Sequence, residues 1–228
     1  MKLTLISKVK REGDATSFIF QPSHPIAWKA GQFMVYTLPH KNPDIRGEQR
    51  FFTISSPPFE KNIVITTKIS SERSSSFKKA LVELKEGQTI EAKGPDGEFV
   101  VNDPNKEYVF IAGGIGITPY HSILLDLKEK GKPINATLLY ANKDRNIVFQ
   151  KELESLKNYS STFKIVYFLS PQRINEETIK ENVSNFLDKI FYVSGPEPMV
   201  EVLQAMVKKM GVKKENVVDD YFPGYESF

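Results

Sequence analysis

The chain changes its pattern of secondary structure part-way along its length, and this change limits the folds that it can adopt. Between residues 3 and 93, six short segments rich in β-branched and aromatic residues are separated by Gly, Pro and Asn: LTLISKV, TSFIFQ, QFMVYTL, RFFTIS, IVITTKI and TIEAK. Such segments are typical of strands. Six strands without intervening helices predict an antiparallel barrel or sandwich. Residues 75–84 are the exception, since apolar residues at helical spacing behind a run of serines predict a helix.

Strand and helix patterns alternate in the second half. The segments YVFIA, NATLLYA, FKIVYFL and KIFYVS are each followed by a helical pattern, and ENVVDDY is the last predicted strand. This alternation predicts a doubly wound parallel sheet with right-handed crossovers. The 228 residues leave room for two compact domains. The turn-forming sequence NDPNK marks the predicted boundary between an antiparallel β-barrel domain, residues 1–103, and an α/β domain, residues 104–228.

The chain contains no cysteine, which excludes disulfides, thiolate zinc sites, cysteine nucleophiles and thiolate-ligated iron–sulfur clusters. Redox chemistry would therefore need a bound organic cofactor or a partner. No metal site is expected, because His24, His40 and His121 share no ligand spacing and look incidental. Early charged residues and the lack of an apolar run of about 18 residues predict no signal peptide, no membrane segment and a cytoplasmic protein.

The charge is small in total and unevenly divided. The net charge of +3 does not indicate nucleic-acid binding, which needs clustered basic residues on one face. Residues 1–102 contain 15 basic and 11 acidic residues, a net +4, and the remainder has a net −1. A solvated surface accounts for this difference. The alternative is a barrel half that attracts an acidic partner or phosphates.

The motif AGGIGITP lies directly after a buried strand and directly before a helix. Gly113, Gly114 and Gly116 would let the backbone turn sharply and approach a pyrophosphate, while the amides at the start of the helix supply positive potential. Pro119 fits the first helical turn, where no amide is needed. The motif is therefore interpreted as a dinucleotide-binding loop, and a structural tight turn is the alternative.

A second motif, RFFTISSPP, combines a cation, an aromatic ring and hydroxyl groups along one strand. Arg50 can pair with phosphate, Phe52 can stack on a heterocycle, and Thr53 can hydrogen-bond a ring nitrogen. Taken alone, the same residues also suit a plain barrel strand.

Six motifs in one order give the chain a family resemblance: RFFTISS, SSSFKKAL, GPDGEFV, AGGIGITP, VSGPEPM and DDYFPGY. This order resembles the ferredoxin–NADP⁺ reductase superfamily along essentially the whole chain. The resemblance implies an FAD-binding antiparallel barrel followed by a domain that binds NADPH or NADH. The flavin and the nicotinamide would meet in the cleft between the two domains.

The resemblance also implies roles for residues of the barrel domain. Arg50 would contact flavin phosphate, Phe52 would stack on the isoalloxazine, and Thr53 would hydrogen-bond flavin N5. Ser75 and Ser76 would bind the pyrophosphate at a helix amino terminus, although ordinary helix capping also explains these serines. The pyrimidine edge of the flavin would be held mainly by backbone groups of one strand, in particular by Ile65, Thr67 and Lys68.

In the second domain, the resemblance assigns Gly114, Gly116 and Thr118 to the dinucleotide loop, with Thr118 near the nicotinamide. Ser194 stands where many members of the superfamily have a cysteine beside the reacting atoms. Three residues would complete the turn and the helix start after that strand: Gly195, Pro196 and Met199. Three others would hold the 2′-phosphate of NADPH: Lys143, Ser170 and Arg173. Since Pro171 interrupts this last group, the choice between NADPH and NADH stays open.

The carboxyl-terminal residues complete the implied site. Asp220 would be the acidic residue near the reacting atoms, and Phe222 would be the aromatic that covers the flavin, with Tyr225 as a second candidate. Both aromatics could instead only anchor the tail. The implied catalytic set is Thr53, Ser194, Asp220 and Phe222.

The function implied by this resemblance is an FAD-dependent reductase. It would take a hydride from NAD(P)H and pass electrons to a ferredoxin, a flavodoxin or an oxygenase component. Two alternatives remain: a free-flavin or ferric-chelate reductase that holds its flavin loosely, and a flavin- or nucleotide-sensing subunit without turnover. The sequence leaves the electron acceptor and the oligomeric state open.

Overall fold

A computed structural model of the chain describes residues 1–70 and 74–222, with the side chains of Tyr221 and Phe222 excluded. The first half forms a six-stranded antiparallel sheet in the order β4-β3-β6-β1-β2-β5. Its strands are β1 Lys2–Lys10, β2 Ala15–Pro22, β3 Phe33–Thr37, β4 Gln49–Thr53, β5 Ile63–Lys68 and β6 Thr89–Asp96. One helix, α1 Ser76–Glu83, packs onto this sheet through Phe77 and Leu81.

The six-stranded sheet curls because alternate residues of its strands turn inward onto one apolar core. Leu3, Leu5, Phe18 and Phe20 are all fully buried in this core. The two edge strands meet just beyond β4, where the Ser55 amide donates a hydrogen bond to Val64 O of β5 at 2.9 Å. Ser55 O also lies 2.8 Å from His121 Nδ1, so the end of β4 contacts the second half of the chain.

The second half forms a five-stranded parallel sheet in the order β11-β10-β7-β8-β9. Its strands are β7 Tyr108–Gly113, β8 Ala136–Asn142, β9 Lys164–Leu169, β10 Ile190–Pro196 and β11 Val217–Phe222. Its helices are α2 Thr118–Glu129, α3 Gln150–Tyr159, α4 Glu176–Asn182 and α5 Glu197–Lys209.

Helices cover both faces of the parallel sheet, as the central strand β7 makes plain. Phe110 points into the core beneath α2 and α3, whereas Val109 and Ile111 point into the core beneath α4 and α5. A strand buried on both faces reads as a continuous apolar run, which explains the sequence YVFIA. The predicted fold class, an antiparallel barrel-like sheet followed by a doubly wound parallel sheet, is confirmed.

The segment that connects β6 to β7 packs against the parallel sheet and its helix α2. Phe99 packs edge-on against Tyr120 and Tyr192, with ring centroids 5.4 and 4.8 Å apart. The Tyr192 hydroxyl donates to Val100 O at 2.7 Å. The predicted domain boundary at residue 103 falls between the end of β6 and the start of β7 and stays a prediction. Among the described residues, no helix is long and apolar enough to cross a bilayer.

His121 joins the two halves, a role that the sequence did not indicate. It is buried in α2, and its Nδ1 lies 2.8 Å from Ser55 O, an acceptor, so that Nδ1 carries the proton. The imidazole stacks on Phe149 with ring centroids 3.7 Å apart. Next to it, the Ser122 hydroxyl donates to Ser56 O at 2.8 Å. The histidine that looks incidental in the sequence is therefore part of the interface between the sheets.

This position makes a prediction for stability against pH. Burial lowers the pKa of His121 from 6.5 to about 4. Between these two pH values the imidazole is therefore protonated in the unfolded chain and neutral in the folded chain. Lowering the pH from 7.5 to 4.5 should therefore cost about 2 to 3 kcal/mol through this residue. Urea unfolding at both pH values should show a smaller pH dependence in His121→Gln than in the unsubstituted chain. His24→Gln, at an exposed position, is the control and should retain the full dependence, and identical curves for all three proteins would contradict this assignment.

Candidate functional site

Three predicted catalytic residues converge where strands of the two sheets end. In the parallel sheet, Ser194 of β10 lies beside Asp220 of β11 and Ala112 of β7. Thr53 ends β4 of the antiparallel sheet and lies against the Asp220 carboxyl. Because the carboxyl ends of parallel strands face the crevice in such sheets, this cluster lies at the usual place for a ligand.

Two hydroxyls of this cluster have unused hydrogen-bonding capacity. Thr53 Oγ1 and Ser194 Oγ are buried and, within the described residues, make no hydrogen bond of good geometry. A buried polar group left unpaired costs about 1 to 3 kcal/mol, so such groups are typical of positions that bind a ligand. They come from different sheets, which places the candidate site at the interface between the two sheets.

Asp220 supplies a titratable group to the same interface. Burial raises the pKa of its carboxyl from 3.8 to about 7. The negative charge of the neighbouring Asp219 adds to this increase, whereas the hydrogen-bonding Thr53 side chain opposes it. Asp220 is therefore divided between its protonated and ionised forms near neutral pH. Perturbed carboxyls in clefts are frequent in functional sites.

The glycine motif forms the turn from β7 into α2. A 3₁₀-helix, Gly114–Ile117, leads directly into α2, and the Thr118 hydroxyl donates to Ile115 O at 3.2 Å. The Tyr140 hydroxyl of β8 donates to Gly114 O at 3.0 Å and thereby ties this turn to the neighbouring strand. Tyr140 is fully buried and is a residue that sequence reasoning missed.

Close packing against the turn after β10 explains two of these glycines. A Cβ on Gly116 would lie 2.6 Å from Ser194 C and 2.7 Å from Gly195 Cα. A Cβ on Gly113 would lie 2.8 Å from Met199 Cε and 3.2 Å from Pro196 Cδ. The glycines thus let the two strand-to-helix turns approach each other, which is a packing requirement. Their predicted contact with a pyrophosphate stays a prediction.

The residues predicted to bind the 2′-phosphate of NADPH, and so to distinguish NADPH from NADH, lie at one edge of the parallel sheet. Lys143 and Ser170 directly follow the paired strands β8 and β9, and the Ser170 amide donates to Asn142 O at 3.1 Å. Arg173 follows three residues later, and all three predicted side chains are exposed. Asn142 is buried, with its side-chain nitrogen unpaired within the described residues. Lys143, Ser170 and Arg173 therefore lie at the same sheet edge, where a ligand can reach them.

The predicted flavin phosphate residues also meet. Arg50 and the first turn of α1 face one carboxylate, that of Asp44: Arg50 Nη2 lies 2.6 Å from Asp44 Oδ1, and the Ser76 amide donates to Asp44 Oδ2 at 3.1 Å. The Ser75 hydroxyl accepts from the Lys78 amide at 3.3 Å and is the helix cap. The sequence motifs include Arg50, Ser75 and Ser76 but give no sign of Asp44.

Phe52 is the penultimate residue of β4. Phe52 is only 9% exposed, and its ring packs against Tyr36 and Phe77 at centroid distances of 6.0 and 5.7 Å. It is therefore a core residue of the barrel, and stacking on a flavin stays a prediction. Ile65, Thr67 and Lys68 lie in β5, an edge strand of the sheet.

The carboxyl terminus is described only in part. The backbone of Phe222 pairs with Pro196 in the last ladder of the parallel sheet. Its side chain and all of Tyr225 lie outside the described residues, so the predicted flavin-covering aromatic is not placed. Within residues 1–70 and 74–222, no cluster of three or more His, Asp or Glu side chains could hold a metal ion.

Comparison with known proteins finds sequence similarity along most of the chain. Residues 110–205 match the oxidoreductase NAD-binding domain family. The chain is 33% identical over 157 residues to a component of the Na(+)-translocating NADH-quinone reductase of Shewanella denitrificans, covering 62% of this chain and 38% of that protein. It is 26% identical over 241 residues to the flavohemoprotein of Bacillus thuringiensis subsp. konkukian, with coverages of 96% and 60%. The chain thus spans less than two thirds of the length of these curated relatives.

Among solved structures, the ferredoxin-NADP+ reductase from Plasmodium falciparum has the same fold. The TM-score is 0.80 at 18% identity, and the alignment covers 97% of this chain and 95% of that one. The chain therefore shares the fold of this reductase, and its residues 110–205 match the oxidoreductase NAD-binding domain family. Thr53, Ser194 and Asp220 meet between its two sheets, in the cleft where the resemblance implies that the cofactors bind.

The residues present suit the cofactors of a ferredoxin–NADP⁺ reductase-like protein to different degrees. The buried hydroxyls of Thr53 and Ser194, each with hydrogen-bonding capacity left, fit ring systems with polar atoms at this interface. Arg50 and the Ser76 amide fit a phosphate, since both already bind an anionic group. That group is the carboxylate of Asp44, which a phosphate would have to replace.

Proposed function

We propose that this chain is an FAD-dependent reductase that takes a hydride from NADPH or NADH and passes electrons to a separate acceptor, a ferredoxin, a flavodoxin or an oxygenase-type component. The observation that carries the proposal is the meeting of the buried hydroxyls of Thr53 and Ser194 with Asp220, contributed by both domains of a ferredoxin–NADP⁺ reductase fold; the Ser194 hydroxyl has no hydrogen-bond partner among the described residues. Relatives with such domains are named as part of an NADH-quinone reductase and as a flavohemoprotein, which supports electron transfer from nicotinamide.

Thr53, Ser194 and Asp220 would have separate roles in hydride transfer. Bound FAD would supply the group that accepts the hydride. Thr53 would orient the flavin from the barrel side, Ser194 would orient the nicotinamide from the other side, and the packed glycine turns would exclude water. Asp220 would place a buried negative charge where positive charge develops on the nicotinamide ring.

Asp220 makes the reaction pH-dependent in a defined direction. Ionised Asp220 is the form that stabilises the developing positive charge, so the rate of flavin reduction should rise as the pH increases through about 7. Stopped-flow reduction of Asp220→Asn should be about 10- to 100-fold slower and flat over this range. Asp219→Asn is the control: it removes a charge that raises the pKa of Asp220, so its profile should shift to lower pH with the same plateau. A pH profile that persists in Asp220→Asn would assign it to another group.

Anaerobic mixing of the flavin-loaded protein with NADPH or NADH tests the proposed function directly. We expect the visible flavin absorbance to bleach, and NADP⁺ or NAD⁺ should leave it unchanged. A yellow protein that neither nicotinamide bleaches would overturn the proposal in favour of a sensing role. Rapid mixing of the reduced protein with candidate acceptors would then rank them.

A second candidate function is a free-flavin reductase that binds flavin as a loosely held substrate. The position of Asp44 favours it, because a carboxylate on Arg50 and the start of α1 opposes retention of a phosphate-bearing flavin. Gel filtration separates the two candidates. FAD that stays with the protein supports the flavoprotein, whereas a colourless protein that reduces added flavin supports the free-flavin reductase.

Arg173 should act on the choice of nicotinamide. If its exposed guanidinium binds the 2′-phosphate beside Lys143 and Ser170, Arg173→Ala should raise KM for NADPH about tenfold and leave KM for NADH within about twofold. Steady-state kinetics with both nicotinamides measures the ratio. Arg145→Ala, on the same loop as Lys143, is the matched control. Equal effects on the two substrates would remove Arg173 from the phosphate site.

A further inference from the structure

Asp44 lies in the segment between β3 and β4, and its carboxylate has a set of donors suited to a phosphate. Oδ1 accepts from Arg50 Nη2 at 2.6 Å and from the Arg46 amide at 3.0 Å, and Oδ2 accepts from the Ser76 amide at 3.1 Å. A guanidinium and backbone amides at a helix start are the groups that bind phosphate in proteins. The Asp44 carboxylate therefore occupies a built anion site.

Arg50 is held in place independently of this carboxylate. Its side chain is 11% exposed, its guanidinium lies 5.7 Å from the centre of the Phe77 ring, and Nη1 faces the carbonyl oxygens of Arg46, Gly47 and Gln49 within 3.0 Å. Its Nε is buried without a partner within the described residues. The cation would thus remain in the site if the Asp44 side chain turned away.

The backbone of Asp44 is anchored, since its amide donates to Ser76 Oγ at 2.9 Å and its carbonyl accepts from the Gly47 amide at 2.7 Å, so the motion that would free Arg50 and Ser76 is a rotation of the Asp44 side chain. Neighbouring Ile45 is fully exposed, and the segment forms no strand or helix between Thr37 and Gln49. Burial raises the pKa of Asp44, but the amides of Arg46 and Ser76 and the Arg50 guanidinium outweigh this effect and hold it well below its usual range. The carboxylate is therefore an anion at any working pH.

Resting on the proposed function, we infer that Asp44 is a built-in competitor of the flavin phosphate. A phosphate and the carboxylate need the same donors of Arg50 and Ser76 and repel each other, so a phosphate-bearing flavin binds only when Asp44 releases them. Asp44 thereby determines how tightly FAD and FMN are held relative to riboflavin, which has no phosphate. A loosely held flavin is the consequence.

Titration of the flavin-depleted protein, residues 1–228, with FAD, FMN and riboflavin tests this inference. Asp44→Asn should bind FAD and FMN at least tenfold more tightly than the unsubstituted chain, and riboflavin within twofold. Asp44→Ala should give the same order, and circular dichroism should confirm that both variants fold. Glu48→Gln is the matched control, since it removes one negative charge from the same segment but does not touch Arg50; it should leave all three affinities within twofold.

Calorimetry with inorganic pyrophosphate separates this inference from the proposed function. Asp44→Asn should gain at least tenfold in pyrophosphate affinity over Glu48→Gln. This gain in a protein that no nicotinamide bleaches would keep Asp44 as the competitor and reject the reductase. Unchanged or weaker binding of FAD and pyrophosphate in both Asp44 variants, or an equal gain for riboflavin, would overturn the inference, even in a protein that bleaches normally.

Discussion

Gly116→Ala is expected to lose flavin reduction by NAD(P)H while its barrel domain still binds flavin. The added Cβ would lie 2.6 Å from Ser194 C and 2.7 Å from Gly195 Cα, and both neighbours are backbone atoms. They cannot rotate away as a flexible side chain would, so the turn after β10 must shift and carry Ser194 with it. A displacement of about 1 Å at reacting groups reduces rates by about 100-fold, and the clash should cost about 2 to 4 kcal/mol in the free energy of unfolding.

Stopped-flow kinetics and urea unfolding measure these two effects. Gly131→Ala is the control, because a Cβ there meets nothing within 4 Å and only its positive φ of 61° is strained. That strain should cost about 1 kcal/mol and leave the rate unchanged. A Gly116→Ala protein with normal flavin reduction would show that the approach of the two turns is not needed for activity.

The strands and helices could be predicted from the sequence because their patterns are local. Alternation in TSFIFQ and the all-apolar run YVFIA report directly how many faces of a strand are buried, and β2 and β7 lie where these patterns predict them. The glycine motif could be located for the same reason. Its packing partners could not, because Ser194 and Met199 come 78 and more residues later and reach Gly116 and Gly113 only through the order of the parallel strands.

Residues whose role depends on a distant partner escape prediction from the sequence. Asp44 lies in NPDIRG, which reads as an ordinary turn, and nothing in that sequence announces that Ser76 lies opposite it. His121 looks incidental because its acceptor, Ser55 O, belongs to another domain. Tyr140 resembles any buried strand residue, although its hydroxyl holds Gly114 O. In each case the informative quantity is a hydrogen bond across more than 25 residues, which periodicity cannot report.

Arg50→Ala is expected to release the flavin. Charge-assisted hydrogen bonds from one guanidinium contribute about 1.5 to 3 kcal/mol each, so FAD affinity should fall about 100-fold or more. The substitution also leaves the carbonyls of Arg46, Gly47 and Gln49 without their donor, which should loosen the segment that carries Asp44. Flavin content after gel filtration and a fluorescence titration with FAD measure the loss.

Two controls, riboflavin binding and the Arg46→Ala variant, show whether the loss of FAD affinity in Arg50→Ala comes from a lost phosphate contact. If Arg50 acts on phosphate, Arg50→Ala should weaken FAD and FMN far more than riboflavin, whereas general damage to the barrel should weaken all three alike. Arg46→Ala is the matched control: Arg46 Nη2 lies 3.6 Å from Asp44 Oδ2, and its side chain is 43% exposed, so its ion pair contributes little and FAD affinity should stay within about threefold. Unchanged flavin content in Arg50→Ala would remove Arg50 from the site and leave its ion pair with Asp44 as a structural contact of the barrel.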